Sequence, residues 1–233
     1  MTRQDIWSTK LLHDGPTFNK PLVERCEPVS FKLSDGTVAT AFAIFDSTLL
    51  ASALTALMHR QFNMEIEAGD TYPQSAPLTR DEFIDYWHHS MCVVLLHTDQ
   101  LSLEAVNASN PDWEQLFLGT FYIKPNYMSR CSHICNAGFL VNPTHRGKRI
   151  GYRLAQVYLK WAPLLGYTYS VFNLVFVTNI ASWKIWDRFK FDRIGLIPRA
   201  GQLAGHKEPV DAIVFGKNLT NVEEELFADF ETL

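Results

Sequence analysis

"NAGFLVNPTHRGKRIGYRLAQVYLKWA", residues 136–162, carries the reading of the fold. It begins with a short run, Asn136 to Val141, of the length and apolar character of a buried strand. Arg146, Lys148 and Arg149 then gather around Gly147, with Gly151 just beyond. From about Ile150 to Trp161 the apolar residues recur at helical spacing. A strand that runs through glycines into a helix is an anion site by geometry. The first helical turn leaves its N–H groups unpaired, the macrodipole makes that end positive, and glycine lets an oxyanion approach the backbone. The basic side chains add charge-assisted hydrogen bonds. The expected guest is a diphosphate on Arg146, Gly147, Lys148, Arg149, Ile150 and Gly151, with His145 a solvated neighbour or, as the alternative, a pH-sensitive contact. There is no G-x-x-x-x-G-K-[ST] and no G-x-G-x-x-G after the strand, so neither a Walker loop nor a dinucleotide fingerprint accounts for the cluster.

Downstream, "YSVFNLVFV" reads as a strand, "NIASWKIWDRF" as a helix, and "DRIGLIP" and "VDAIVFG" as closing strands. Strands alternating with helices imply a β-α-β unit with parallel neighbours. Upstream, "VSFKLSDGTVATAFAIF" reads as a hairpin turning at Ser34, Asp35 and Gly36. Asp46 to Glu67 carries Leu49, Leu50, Leu54, Leu57, Met58 and Phe62 at helical spacing. "LTRDEFIDYWHH" opens on the capping-box pair Thr79 and Glu82. Strands "MCVVLLH" and "EQLFLGTFYI" follow, separated by the turn-rich "NASNPD". No repeat or linker divides the chain. The expected architecture is a single α/β domain over residues 1–233, a mixed central sheet flanked by helices. Residues 29–125 supply the hairpin, helices and antiparallel strands, and residues 136–217 the binding core.

Composition narrows the function. The 233 residues are 47% hydrophobic, ample for a core, and the net charge of -4 argues against a general nucleic-acid binder. No apolar run approaches the roughly 18 residues of a membrane span, so no membrane partner is expected. "MTRQDIWSTK" lacks the apolar stretch of a secretion signal. An intracellular location is expected, cytoplasmic or, despite Asp5, mitochondrial. Four cysteines fit free thiols in a reducing compartment. If extended, "CSHIC" puts Cys131, His133 and Cys135 on one face. A structural zinc site needs a fourth ligand, and none stands nearby at motif spacing, so no metal is expected. The acidic tail "VEEELFADFE" is expected as a solvated face, docked by Phe227 and Phe230.

"FLVNPTHRGKRIGYRLAQVYLKWA" resembles the acetyl-CoA motif of the GCN5-related N-acetyltransferases (GNAT): a strand, Val-x-Pro-x-x-Arg, then [QR]-x-x-G-x-[GA] opening a helix. Arg146 fills the first loop position and Gly151 the last, while Arg149 stands in place of the middle glycine. "NIASWKIWDRFKF" resembles the family's second signature, which implies Asn179 on the pantetheine arm. Many members carry a tyrosine near the end of this helix to protonate the leaving thiolate. Trp186 stands there, and an indole N–H cannot give up its proton at useful pH. "GTFYIKPNY", "RCSHICNAGFLVN", "GYRLAQVYL", "APLLGY", "FNLVFVTN" and "ASWKIWD", with "GPTFNKPL" and "PVDAIVFGK", resemble the fungal N-acetyltransferases that detoxify L-azetidine-2-carboxylate. The resemblance implies a GNAT fold with splayed parallel strands, acetyl-CoA as donor, a homodimer, and a role in detoxification and oxidative stress. The acceptor it implies is a small cyclic imino acid such as azetidine-2-carboxylate or cis-4-hydroxyproline. The alternatives are acetylation of a protein, polyamine or other amine, or an acyl-CoA-binding module without turnover.

Acetyl transfer to an amine needs a deprotonated nitrogen, alignment with the thioester, and donors for the developing oxyanion. The splayed strands correspond to "NAGFLV" and "YSVFNLVFV", and neither carries an Asp, Glu or His to act as general base. They carry Asn136 and Asn173, whose carboxamides, facing one cleft, orient a substrate carboxylate and amine. The resemblance implies the same catalytic and substrate-binding role for both. Backbone N–H groups of Phe139, Leu140 and Val141 are expected to hold pantetheine and the oxyanion, and those of Asn173 and Leu174 the acceptor. Gly138 is expected to mark the bulge that opens the strands. Phe139, Phe172, Trp183 and Trp186 are expected as core and channel wall.

Overall fold

A computed structural model describes residues 22, 23 and 25–233. "MTRQDIWSTK" and all of "GPTFNKPL" except its last residue lie outside the described residues. β1 (Val29–Lys32) and β2 (Val38–Ile44) form the leading hairpin, with Gly36 at φ 84° in the turn, a conformation glycine adopts without strain. β3 (Met91–Leu96) and β4 (Phe117–Pro125) continue it antiparallel. β5 (Ile134–Val141), β6 (Tyr169–Phe176), β7 (Asp192–Gly201) and β8 (Val210–Asn218) complete one sheet in the order β1-β2-β3-β4-β5-β6-β8-β7. The sheet is mixed: β5 and β6 run parallel and every other pair is antiparallel.

Helices cover both faces. α1 (Ser52–Ala68) and α2 (Arg80–Trp87) bury Leu54, Met58, Phe62, Phe83 and Trp87 against one. α5 (Ile150–Leu164) and α6 (Ile180–Arg188) bury Leu154, Tyr158 and Trp186 against the other. α2 opens on the expected capping box, with Thr79 and Glu82 exchanging bonds.

Three local expectations need correction. The first helix starts at Ser52 rather than Asp46. Asp46 accepts from the Thr48 N–H at 2.9 Å and closes a single 3-10 turn, Ser47–Leu49, after which Leu50 is extended. The connection around "NASNPD" contains α3 (Leu103–Ala108) and α4 (Trp113–Leu116), started by the caps Ser102 and Asp112; both are too short to show a period. Cys131 sits in a 3-10 turn, Ser129–Cys131, not in an extended strand entry, so it does not share a strand face with Cys135. The four cysteines are free, and among the described residues no group of three or more His, Cys, Asp and Glu is arranged to hold a metal.

The parallel pair opens almost at once. β5 and β6 are in register only at Ile134 with Tyr169 and Cys135 with Ser170; beyond them the strands separate. The irregularity lies in β6, where Phe172 faces Phe215 and Val175 faces Ile213, so that Asn173 and Leu174 together oppose Val214. Gly138 is therefore not the bulge: its strand stays in unbroken register with β4 from Gly119–Val141 to Pro125–Cys135. Gly138 serves a close approach instead. A Cβ there would lie 2.5 Å from Cε1 of Tyr122, whose ring lies over it.

Candidate active site

The gap between β5 and β6 runs from the basic loop after Val141, where phosphates are expected (the phosphate end), to the point beside Asn136 where the strands part (the mouth). At the phosphate end, Asn142 is fully buried and donates to the carbonyls of Phe117 and Glu114 while accepting from the Thr144 N–H. That ties the loop to β4 and sets the turn Pro143–His145. Gly147 takes φ 79° and Arg149 takes φ 61°. Arg149 thus keeps the left-handed backbone at the position where the motif has glycine, at a cost of about 1–2 kcal/mol. The result is a concave run of N–H groups leading into α5, whose first turn carries no side-chain cap. Gly151 keeps the helix close to its neighbours, since a Cβ there would meet Ile185 Cδ1 at 3.1 Å and Val141 Cγ2 at 3.6 Å. Uncapped N–H groups beside three cations fit a diphosphate.

The cations are not equally available. Arg146 pairs with Glu65 of α1. Lys148 Nζ lies 3.5 Å from His145 Nδ1. His145 is buried rather than solvated, and burial, helped by Lys148, holds its pKa below the usual value. Arg149 lies over the Tyr152 ring at 4.6 Å and meets Asp229 at 3.3 Å. Asp229 belongs to the acidic tail, which is docked through the buried Leu226 and Phe230 while Glu224, Glu225 and Glu231 stay exposed. It also accepts from Gln156 at 2.8 Å, Arg153 donates to its carbonyl at 2.7 Å, and Phe230 packs on Phe31 at 4.6 Å. Burial alone would raise the Asp229 pKa, but the Gln156 hydrogen bond and the Arg153 and Arg149 charges lower it.

Along the gap, backbone direction decides which groups are presented. Even-numbered peptides of β5 face β4: Asn126 N–H donates to Ile134 O at 2.7 Å and Asn142 N–H to Leu118 O at 3.0 Å. Odd-numbered ones face β6, as Thr168 N–H donates to His133 O at 3.0 Å. By the strand alternation Phe139 and Val141 present their N–H groups to the gap, whereas that of Leu140 is committed to β4. Leu140 thus drops out of the expected backbone set. Tyr72 donates its hydroxyl to Phe139 O at 2.8 Å. One wall is aromatic: Phe139, Phe172 and Trp186 lie with ring centres 4.5–6.1 Å apart. Trp186 Nε1 donates to Ser182 Oγ at 3.0 Å. Trp183 lies apart from them, its Nε1 bonded to Val177 O and its ring under Arg193. Asn179 caps α6, its Oδ1 accepting from the Ser182 N–H at 3.2 Å, which leaves its Nδ2 as the donor for a ligand.

The mouth brings Asn136 and Asn173 together through a residue not singled out from the sequence. Asn126, just past β4, accepts from Asn136 Nδ2 at 3.0 Å and from Asn173 Nδ2 at 2.6 Å, and donates to Asn173 Oδ1 at 3.1 Å. The three carboxamides span both separating strands, and Asn136 Oδ1 is left to accept from a ligand N–H. Leu174 is exposed in the bulge beside them. Asn126 and Lys124 both lie in "GTFYIKPNY", a segment whose strand pattern hid them.

Comparison with known proteins fits this geometry. Residues 57–191, more than half of the chain, match the model of the acetyltransferase (GNAT) family. The chain belongs to the GNAT family. The N-acetyltransferase aca1 of Schizosaccharomyces pombe is 46% identical over 166 residues, 70% of this chain and 79% of that protein. Protein SPT10 of Saccharomyces cerevisiae is 31% identical over 241 residues, 88% of this chain but 38% of that protein. Among solved structures, a GCN5-related N-acetyltransferase from Kribbella flavida superposes with a TM-score of 0.62 at 24% identity, covering 76% of this chain and 97% of its own. yncA from Salmonella typhimurium, solved with its cofactor acetyl-CoA, superposes with a TM-score of 0.59 at 14% identity, covering 77% and 94%. The protein is an acetyl-CoA-dependent N-acetyltransferase of the GNAT type, with the single-domain mixed-sheet fold of that family.

Proposed function

We propose that the acceptor is a small cyclic imino acid, such as azetidine-2-carboxylate or cis-4-hydroxyproline, acetylated on its ring nitrogen. The observation that supports this most is the chain of carboxamides from Asn136 through Asn126 to Asn173 across the mouth of the gap. It is a compact site of paired neutral donors and acceptors, with no Asp or Glu on either separating strand to attract a polyamine. The neutral amine reaches the site with its N–H toward Asn136 Oδ1. Its lone pair forms the new N–C bond at the thioester carbonyl, the C–S bond breaks, and CoA leaves as the thiolate. The nitrogen then gives its proton to water. Inward-facing N–H groups of Phe139 and Val141 stabilise the oxyanion, so orientation and backbone donors supply the catalysis.

Thiol release from acetyl-CoA with cyclic imino acids, polyamines and N-terminal peptides tests the proposal. Turnover of the cyclic imino acids is expected. Release confined to polyamines or peptides overturns it.

A further inference from the structure

Beside the asparagine mouth stands a cation that this chemistry leaves unused. Lys124 of β4 lies directly opposite Asn136 in register, two residues before Asn126. Its ammonium sits 4.5 Å from the centre of the Tyr86 ring and 4.7 Å from that of Tyr122. The two tyrosine hydroxyls are 3.2 Å apart, and the Tyr122 ring lies over Gly138 on β5. Lys32, Lys190 and Lys217 each pair with a glutamate, whereas Lys124, like Lys160 over the Phe227 and Phe230 rings, meets aromatic faces instead. Lys124 is half-buried, and burial alone pushes its pKa down to about 8, with no carboxylate contributing. Two π-faces recover only part of the cost of desolvating an ammonium, and among the described residues no carboxylate pairs with it.

An anion at Lys124 would not be a phosphate of the donor. Asn136 and Val141 are separated along the strand by about 16 Å at the rise of an extended chain, and the phosphate loop begins only after Val141. A polyamine or lysine acceptor would bring a second positive charge against Lys124. A carboxylate next to the reacting amine has the right sign and the right place. We propose that Lys124 is a substrate-binding residue that takes the carboxylate of the acceptor, so that the enzyme selects amines carrying an acid group over their neutral counterparts. The inference relies on the imino-acid proposal only for placing the acceptor at the asparagine mouth.

The test compares the full-length wild type with Lys124→Met, which keeps the aliphatic stem under the tyrosines and removes the charge. Each is assayed with acid and carboxamide pairs: azetidine-2-carboxylate against azetidine-2-carboxamide, and several open-chain amino acids against their amides. The wild type should prefer acids by about tenfold or more, and Lys124→Met should lose that preference, with the KM for acetyl-CoA and the Tm unchanged. Lys124→Arg should restore part of it. If open-chain acids are turned over and cyclic ones are not, with the acid preference still lost in Lys124→Met, the imino-acid proposal fails and the role of Lys124 stands. An equal loss of acid and amide turnover in Lys124→Met overturns the inference in favour of a proton-transfer or structural role. An acid-to-amide ratio unchanged by the substitution, or a wild type with no acid preference, overturns it as well.

Discussion

The two ends of the gap are assembled in opposite ways. The phosphate end is one continuous piece of chain, Asn142 to Arg153, and its features are local: two left-handed residues, an uncapped helix start and basic side chains. The mouth is built from residues far apart in sequence, Asn126, Asn136 and Asn173, joined by the pairing of three strands. A local site tolerates the loss of one contact because its backbone persists. A site made by convergence loses its geometry when any member is removed.

The largest effect should follow at the mouth. Replacing Asn136 or Asn173 with Ala should lower kcat/KM for azetidine-2-carboxylate by about tenfold or more, roughly 1.4 kcal/mol of transition-state binding, at unchanged acetyl-CoA affinity and Tm. Asn126→Ala should match them although it need not touch substrate. The double variant of Asn126 and Asn173 should fall well short of the sum, as steady-state kinetics on the cycle will show. Strict additivity would mean that the carboxamides act separately.

A smaller change is expected at the phosphate end. Arg146→Ala removes an exposed cation already shared with Glu65, so the KM for acetyl-CoA should rise about fivefold, roughly 1 kcal/mol, with the amine KM unchanged. An unchanged KM would make the cluster a solvated surface.

Asn179 lies between the two cases, because its oxygen caps α6 and its amide nitrogen is free for the ligand. Asn179→Ala should cost about 1 kcal/mol of stability, whereas Asn179→Asp should keep the cap. Both should weaken acetyl-CoA by about threefold if the lost nitrogen is what matters, since a neutral hydrogen bond contributes little more than that. Thermal melts and calorimetric titration separate the two roles.

The smallest effect concerns the tail. Asp229 has a depressed pKa in the folded protein, so its contribution is present above the unfolded carboxylate value and is lost as pH falls through the lower folded value. Asp229→Asn should therefore flatten the acid limb of the stability curve. It should also release Arg149 and tighten acetyl-CoA by about twofold, because one guanidinium no longer shares its charge with a carboxylate. Weaker binding in this variant would show that the tail holds Arg149 in place for the phosphate rather than away from it.

The difference between the two ends also explains what was legible in the residues alone. Strand, glycine loop and helix are short-range patterns, and hydrophobic period, capping box and glycine spacing expose them without reference to the rest of the chain. The strands and longer helices were readable on that basis, while α3 and α4 were not, and the departure at Arg149 stands out only against the family's motif. The tertiary structure decided the rest. Strand pairing puts the bulge at Asn173 and Leu174 rather than Gly138 and spends the Leu140 N–H on β4, and side-chain packing pairs the tail with Arg149. Asn126 and Lys124 look like ordinary strand and turn residues until β4 is laid beside β5. Backbone propensity is a property of neighbours along the chain, whereas a convergent site depends on register, and one residue of slip would turn each of these side chains to the other face.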